Sequence, residues 1–236
     1  MQSVKGTSGE ECWHLALGLL GDIRGKSILD AASGGGYFAN LMVDRGAMVV
    51  AFDLVNQWQF PDIPFQIVDF DDCLPFEDAL FDGISFVEAL NYVESPSQLF
   101  REAHRTIKGG GNLIITFPNC LTAESRFKFL FSGSYRWFPH PLFTGGTKAE
   151  YVDVGRDPVR VTTILFLLKQ AGFEVEAVKF GGISVKWHFL PLAVFIYVVT
   201  WLSNLLRKPE KRVPKYASSI DSLVKCNVGI RARKIQ

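Results

Sequence analysis

The stretch Ser27-Ile-Leu-Asp-Ala-Ala-Ser-Gly-Gly-Gly-Tyr-Phe-Ala39 constrains this chain more than any other. Apolar residues lead to Asp30, small residues run on to Gly34, Gly35 and Gly36, and a helical pattern starts with Tyr37, Phe38, Leu41 and Met42. That order reads as strand, tight glycine turn, helix. Glycine lacks a Cβ and tolerates positive φ, so such a turn lets the backbone approach a ligand closely. The ligand expected there is nucleotide-like and lies across the strand ends.

The flanking chain supplies the rest of a sheet. Thr7 or Ser8 before Glu10 and Glu11 reads as the cap of a helix with Trp13, Leu17 and Leu20 on its apolar face. Strands are expected over 26–31, 47–52, 65–68, 81–87 and 112–117, with helices over 35–45 and about 97–107. The second strand is a continuous apolar run ending at Asp53, the look of a buried parallel strand with an acid at its carboxyl end. This alternation predicts an α/β, Rossmann-like, doubly wound sheet of seven mostly parallel strands with an antiparallel last strand. Asp30, Asp53, Asp69 and Glu88 then share one crevice at the carboxyl ends.

Residues 119–158 break the alternation with Phe127, Phe129, Phe131, Tyr135, Trp137, Phe138 and Phe143 among Arg126, Lys128, Arg136 and His140. A helix over 161–169 and a strand over 173–180 follow, then an apolar stretch over 187–206 and a basic run of Arg207, Lys208, Lys211, Arg212 and Lys215. The tail over 224–233 alternates as the last strand. The expected organisation is one domain over 1–236, with an acceptor lid at 119–158 and an apolar helix with basic flank at 186–215.

Composition narrows the class. A net charge of +1 gives no reason to expect nucleic acid. Four cysteines without a CxxC pair fit reduced thiols and a cytoplasmic setting, and the polar opening residues do not read as a secretory signal. No His/Cys/Asp cluster has metal-ligand spacing.

Two cofactors compete for the turn. Gly34-x-Gly36-x-x-Ala39 loosely fits the dinucleotide pattern, but Asp53 follows Ala39 by 14 positions rather than about 20, which weakens an NAD-dependent oxidoreductase. The alternative is S-adenosyl-L-methionine. Ile28-Leu-Asp-Ala-Ala-Ser-Gly-Gly-Gly36, Leu74-Pro-Phe76 with Phe81-Asp-Gly-Ile84, Ile107-Lys-Gly-Gly-Gly-Asn-Leu113 and Phe117-Pro-Asn119 occur in the order found in class I methyltransferases. The sequence resembles the type 11 group of that class, which includes the ubiquinone and menaquinone methyltransferases. The resemblance covers 27–119, about half the chain, and departs at Ala32, where the family has its first glycine; alanine fits if φ is negative there.

The resemblance implies site roles. Asp30 would order the glycine turn or reach the methionyl ammonium through water, and backbone at Ala32, Ser33, Gly34 and Gly36 would line the methionine. Asp53 would accept both ribose hydroxyls as a fork. Leu54 would pack on adenine, Asp69 would accept from its amino group with Phe70 alongside, and Glu88, Asn91 and Tyr92 would face methionine and acceptor. A general base is needed only for an unactivated hydroxyl or an ammonium; His140 is the candidate, with Tyr92 second. The aromatic and basic mixture of 119–158 suits a small-molecule acceptor that is lipophilic or lipid-linked, glycan or quinone-like.

As a helix, 187–206 is about 30 Å long, enough to span a bilayer. A span would separate two strands of one sheet, so the expectation is a re-entrant or surface-lying helix anchored by Trp187, Tyr197 and Trp201, at the inner membrane face, or else a helix against a second subunit in a homo-oligomer. A non-catalytic cofactor-binding module in a membrane-associated complex is the reading from another class.

Overall fold

A computed structural model describes residues 9–69, 73–136, 138, 158–183 and 186–235. The elements run α1 (Glu10–Leu20), β1 (Ser27–Ala31), α2 (Tyr37–Val43), β2 (Met48–Asp53), β3 (Phe65–Ile67), β4 (Phe81–Val87), α3 (Pro96–Thr106) and β5 (Ile107–Pro118). Then follow α4 (Ala123–Ser132), α5 (Val161–Gln170), β6 (Phe173–Ile183), α6 (Leu190–Leu206), α7 (Lys215–Ser218), α8 (Ile220–Val224) and β7 (Lys225–Lys234). The sheet has seven strands in the order β3-β2-β1-β4-β5-β7-β6.

Strands β1 to β5 pair in parallel, and β7 runs antiparallel between β5 and β6. This is the expected sheet. The inserted antiparallel strand also separates it from the 3-2-1-4-5-6 order of dinucleotide-binding folds. Side chains alternate across β1: Leu29 and Ala31 join the core beside Phe52, Phe86, Phe100 and Phe117, while Ile28 joins Leu19, Met42 and Ile114 on the other face. Both layers are buried, as a parallel sheet covered on two faces requires.

Two features differ from expectation. The glycine run 109–111 does not separate helix from strand, because β5 starts at Ile107, which pairs with Phe81 before the register shifts at Gly83. Gly110 has φ +77°, and a Cβ on Gly111 would lie 2.7 Å from the Asp82 carbonyl, so the glycines form a bulge that keeps the strand continuous. Within 119–158 a helix appears, α4, capped by Thr122, whose Oγ1 accepts from the Ser125 N–H, and closed by Gly133 at φ +65°. The expected caps Thr7 and Ser8 lie outside the described residues.

Two motif segments serve as braces. Arg105 donates to the carbonyls of Leu74 and Phe76 at 2.9 and 2.7 Å, and Glu102 accepts from the Leu74 N–H, so the Leu74-Pro-Phe76 loop is tied to α3. Asn119, 1% exposed, donates to the carbonyls of Ser222 and Lys225 and accepts from the Leu121 N–H. Its amide fastens the exit of β5 to the entry of β7. Truncation would orphan two buried carbonyls and one N–H. Asn119→Ala is expected to lower unfolding stability by about 2–4 kcal/mol in urea titration; a change below about 0.5 kcal/mol would contradict this role.

Candidate functional site

The glycine turn is held from β2. Asp53, last residue of β2, accepts from the Gly34 N–H with Oδ2 at 2.7 Å and from the Val55 N–H with Oδ1 at 3.2 Å. Ser33 donates its N–H and its hydroxyl to the Phe52 carbonyl at 3.0 and 3.2 Å. The ordering role expected of Asp30 therefore belongs to Asp53. Each carboxylate oxygen keeps a second acceptor position, so a fork to two ribose hydroxyls is compatible with these bonds.

The turn is open at one end and sealed at the other. A Cβ on Gly34 would meet nothing within 4 Å, whereas one on Gly36 would lie 2.6 Å from the Trp58 ring. Trp58, stacked on Phe65 at 4.7 Å, and Phe60, edge-on to Tyr37 at 5.4 Å, cover the start of α2. Both aromatics lie in the loop after β2 and went unmarked in the sequence; their spacing from Gly36 gave no signal of this contact.

Ala32 corrects an expectation. Its φ is +56°, not negative, so a side chain sits in a left-handed position. The chain must turn sharply there to bring Ser33 to the Phe52 carbonyl. Glu88, at the end of β4, is likewise at φ +58°. Left-handed backbone in residues with a Cβ costs about 1 kcal/mol or more, and such strain concentrates at functional sites.

Beside the turn lie buried acceptors without donors. Asp30, 1% exposed, accepts from the Ser85 hydroxyl at 2.8 Å with Oδ1, while its Oδ2 has no partner. Glu88 Oε1 and Asn91 Oδ1 are also buried and unpartnered. Burial pushes the Asp30 carboxyl up to about 7, opposed by the Ser85 hydrogen bond and reinforced by the negative charge of Asp53. Burial pushes Glu88 up to about 7 as well, opposed by hydrogen bonds from Cys12 and Thr116. Asp30 and Glu88 end or follow the adjacent strands β1 and β4, and Asn91 sits in a single 3-10 turn, Leu90–Tyr92, just beyond. Two carboxyls poised near neutrality and one amide oxygen thus leave three buried acceptor atoms without a donor and no cation among their named partners.

The remaining expected residues divide. Leu54 is half-buried against the core, Asp69 is half-buried two residues past β3, and Tyr92 is half-buried next to Asn91. Phe70 and His140 lie outside the described residues. Of the other histidines, His14 and His188 are exposed, and His104 packs edge-on to Phe173 at the amino end of β6, away from the crevice. Among the described residues no group of His, Cys, Asp and Glu could hold a metal ion. Ser85, Thr116 and Cys12 were missed as site residues; Ser85 and Thr116 each stand as a lone hydroxyl inside an apolar strand, which is the signal that marks them.

The strand order, the glycine turn after β1 and the acid closing β2 define a class I methyltransferase fold. Residues 29–115 match the family model of the methyltransferase domain. Similar proteins include the ubiquinone biosynthesis O-methyltransferases of Neisseria meningitidis serogroup C, 26% identical over 137 residues (49% of this chain, 58% of that protein), and of Xanthomonas oryzae pv. oryzae, 26% over 108 residues (42% and 45%). The matched stretch spans about half the length of these curated relatives. Similar structures are a methyltransferase from Mesorhizobium loti, with TM-score 0.55 and 19% identity over 92% of this chain and 94% of that one, and another from Listeria monocytogenes, with 0.60 and 17% over 95% and 98%. The chain has the fold of the class I S-adenosylmethionine-dependent methyltransferases, and its residues 29–115 are similar to their methyltransferase domain.

The strain at Ala32 is separable from the site's charges. Ala32→Gly is expected to raise the midpoint of thermal unfolding, with a gain of about 1 kcal/mol, because glycine adopts φ +56° without a Cβ clash. An unchanged or lower midpoint would show that the turn relaxes around alanine.

Proposed function

We propose that this chain transfers a methyl group from S-adenosylmethionine to a small-molecule acceptor. The observation that carries the proposal is the set of donorless buried acceptors, Asp30 Oδ2, Glu88 Oε1 and Asn91 Oδ1, beside an open glycine turn. A ligand bearing an ammonium and a sulfonium answers that deficit; a dinucleotide, carrying phosphates, would add negative charge to it. Asp53 would take the ribose, Leu54 the adenine face, Asp69 and Phe70 its edge, and backbone from Ala32 to Gly36 the methionine. Bound there, the cofactor supplies a methyl on cationic sulfur, already activated for in-line displacement.

The residues' work is then positioning and exclusion of water. The Trp58 and Phe60 cover over Gly36 closes one side of the turn. Glu88, Asn91 and Tyr92, following β4, would face the transferred methyl, and the 119–158 segment would shape the acceptor pocket. His140 or Tyr92 would serve as base for an unactivated hydroxyl or an ammonium. A lipophilic or lipid-linked acceptor is favoured by the exposed phenylalanines of α4 and by the distant likeness to ubiquinone-pathway proteins. With such an acceptor the chain would work at the cytoplasmic face of a membrane, reached through 187–206.

Calorimetric titration tests the cofactor. Micromolar binding of S-adenosylmethionine is expected, weakened about tenfold or more by Asp53→Asn and abolished by Asp53→Ala. Absence of binding to the intact chain, with quenching by NADH instead, would overturn the proposal.

A further inference from the structure

Helix α6 is built inside out. The side it turns to the protein carries Ala193, Thr200, Ser203 and Asn204 with Leu192 and Ile196, whereas Val194, Phe195, Val198, Trp201, Leu202 and Leu205 project into solvent. That outward stripe follows helical spacing and contains no charge. Helix α4 extends it: Phe127, Phe129, Leu130 and Phe131 are exposed, and Phe127 meets Phe189, at the entry to α6, at 5.5 Å. So large an apolar surface does not belong to a free soluble domain.

The chain beyond α6 decides how this surface can be used. Asn204 accepts from the Val213 N–H at 2.8 Å and donates to the Val213 carbonyl, so the chain reverses at once and returns along α6 through α7 and α8 to β7. The reversal carries Arg207, Lys208, Glu210, Lys211 and Arg212, all exposed, with Lys215 just after it. A spanning or re-entrant α6 would drag this charged turn into hydrocarbon, where each charge costs several kcal/mol. Between 186 and 215 stand six basic residues and one acid, against +1 for the whole chain. That positive flank matches anionic headgroups, and Trp187, Tyr197 and Trp201 suit the interfacial layer.

We infer that α4 and α6 form one platform that lies in the plane of an anionic membrane surface, apolar stripe in the acyl boundary and basic turn on the headgroups. Both helices leave from the carboxyl ends of their strands, the end of the sheet that carries Asp30, Asp53 and Glu88. The crevice therefore opens beside the lipid, and an acceptor enters from the bilayer. Docking itself stands on surface chemistry; only the acceptor's route rests on the methyl-transfer proposal.

Vesicle flotation of the full chain tests it. The protein is expected to float with vesicles of phosphatidylcholine and phosphatidylglycerol, and far less with phosphatidylcholine alone. Reversing Arg207, Lys208, Lys211 and Arg212 to Glu should cut partitioning by about a hundredfold or more. Combining Phe195→Ser, Trp201→Ser and Leu202→Ser should abolish it. Both variants alter exposed side chains, of which Arg207 and Arg212 also donate to the Lys211 and Arg207 carbonyls within the turn, so S-adenosylmethionine titration, unchanged from the parent, reports an intact fold and keeps docking separate from catalysis. A parent chain that stays at the bottom with both lipids overturns the inference, as does a dimer in sedimentation that the serine variant dissociates.

Discussion

The hydrogen bond from the Gly34 N–H to Asp53 ties the glycine turn after β1 to the end of β2, and the rest of the candidate site is arranged around it. β1 and β2 are paired in parallel, with Asp30 opposite Ala51. Asp53, two residues further along β2, reaches back to the turn. With that bond and the Ser33 tether in place, the backbone between β1 and α2 has one path. Ala32 is forced to positive φ along it, Gly34 faces open space, and α2 begins beneath the Trp58 ring. A preorganised turn of this kind lowers the ordering cost of binding, which is the benefit set against the strain at Ala32.

The second determinant is electrostatic. Burial disfavours the charged forms of Asp30 and Glu88, and both carboxyls hold their protons to about pH 7. The sign follows from linkage. Their unfolded values lie near 4, so between about pH 4 and 7 the folded chain holds more protons than the unfolded one, and stability falls as pH rises. A bound cation would reverse the preference by stabilising the charged form. These residues thus give up stability near neutrality for an environment that favours a positively charged or hydrogen-bond-donating group.

Much of this was legible in the residues. The run from Ile28 to Phe38 gave strand, turn and helix because glycine and apolar periodicity are local signals, and the acids at the strand ends followed from the parallel topology. The order of strands β7 and β6 came from the resemblance rather than from any local pattern. What escaped was set by tertiary packing. The aromatic cover of Gly36 depends on a loop folding back across some twenty residues. The bulge at Gly109–Gly111 depends on Phe81 claiming Ile107 as its partner. The sign of φ at Ala32 depends on where the Phe52 carbonyl lies. Asn119 was visible as a motif residue, but its role as a brace required knowing that β7 enters beside β5. Helix α4 was overlooked although Thr122 and Gly133 mark its ends, because its phenylalanines show no single buried face.

Proton counting tests the central claim most directly. S-adenosylmethionine is titrated calorimetrically at about pH 6.5 in buffers of differing ionisation enthalpy, for the parent chain and for Asp30→Asn. A cation entering between Asp30 and Glu88 must expel protons from carboxyls that titrate near 7, so net proton release is expected, reduced in the variant. Binding with no proton exchange, or with equal release from both proteins, would contradict a site built around buried carboxyls awaiting positive charge.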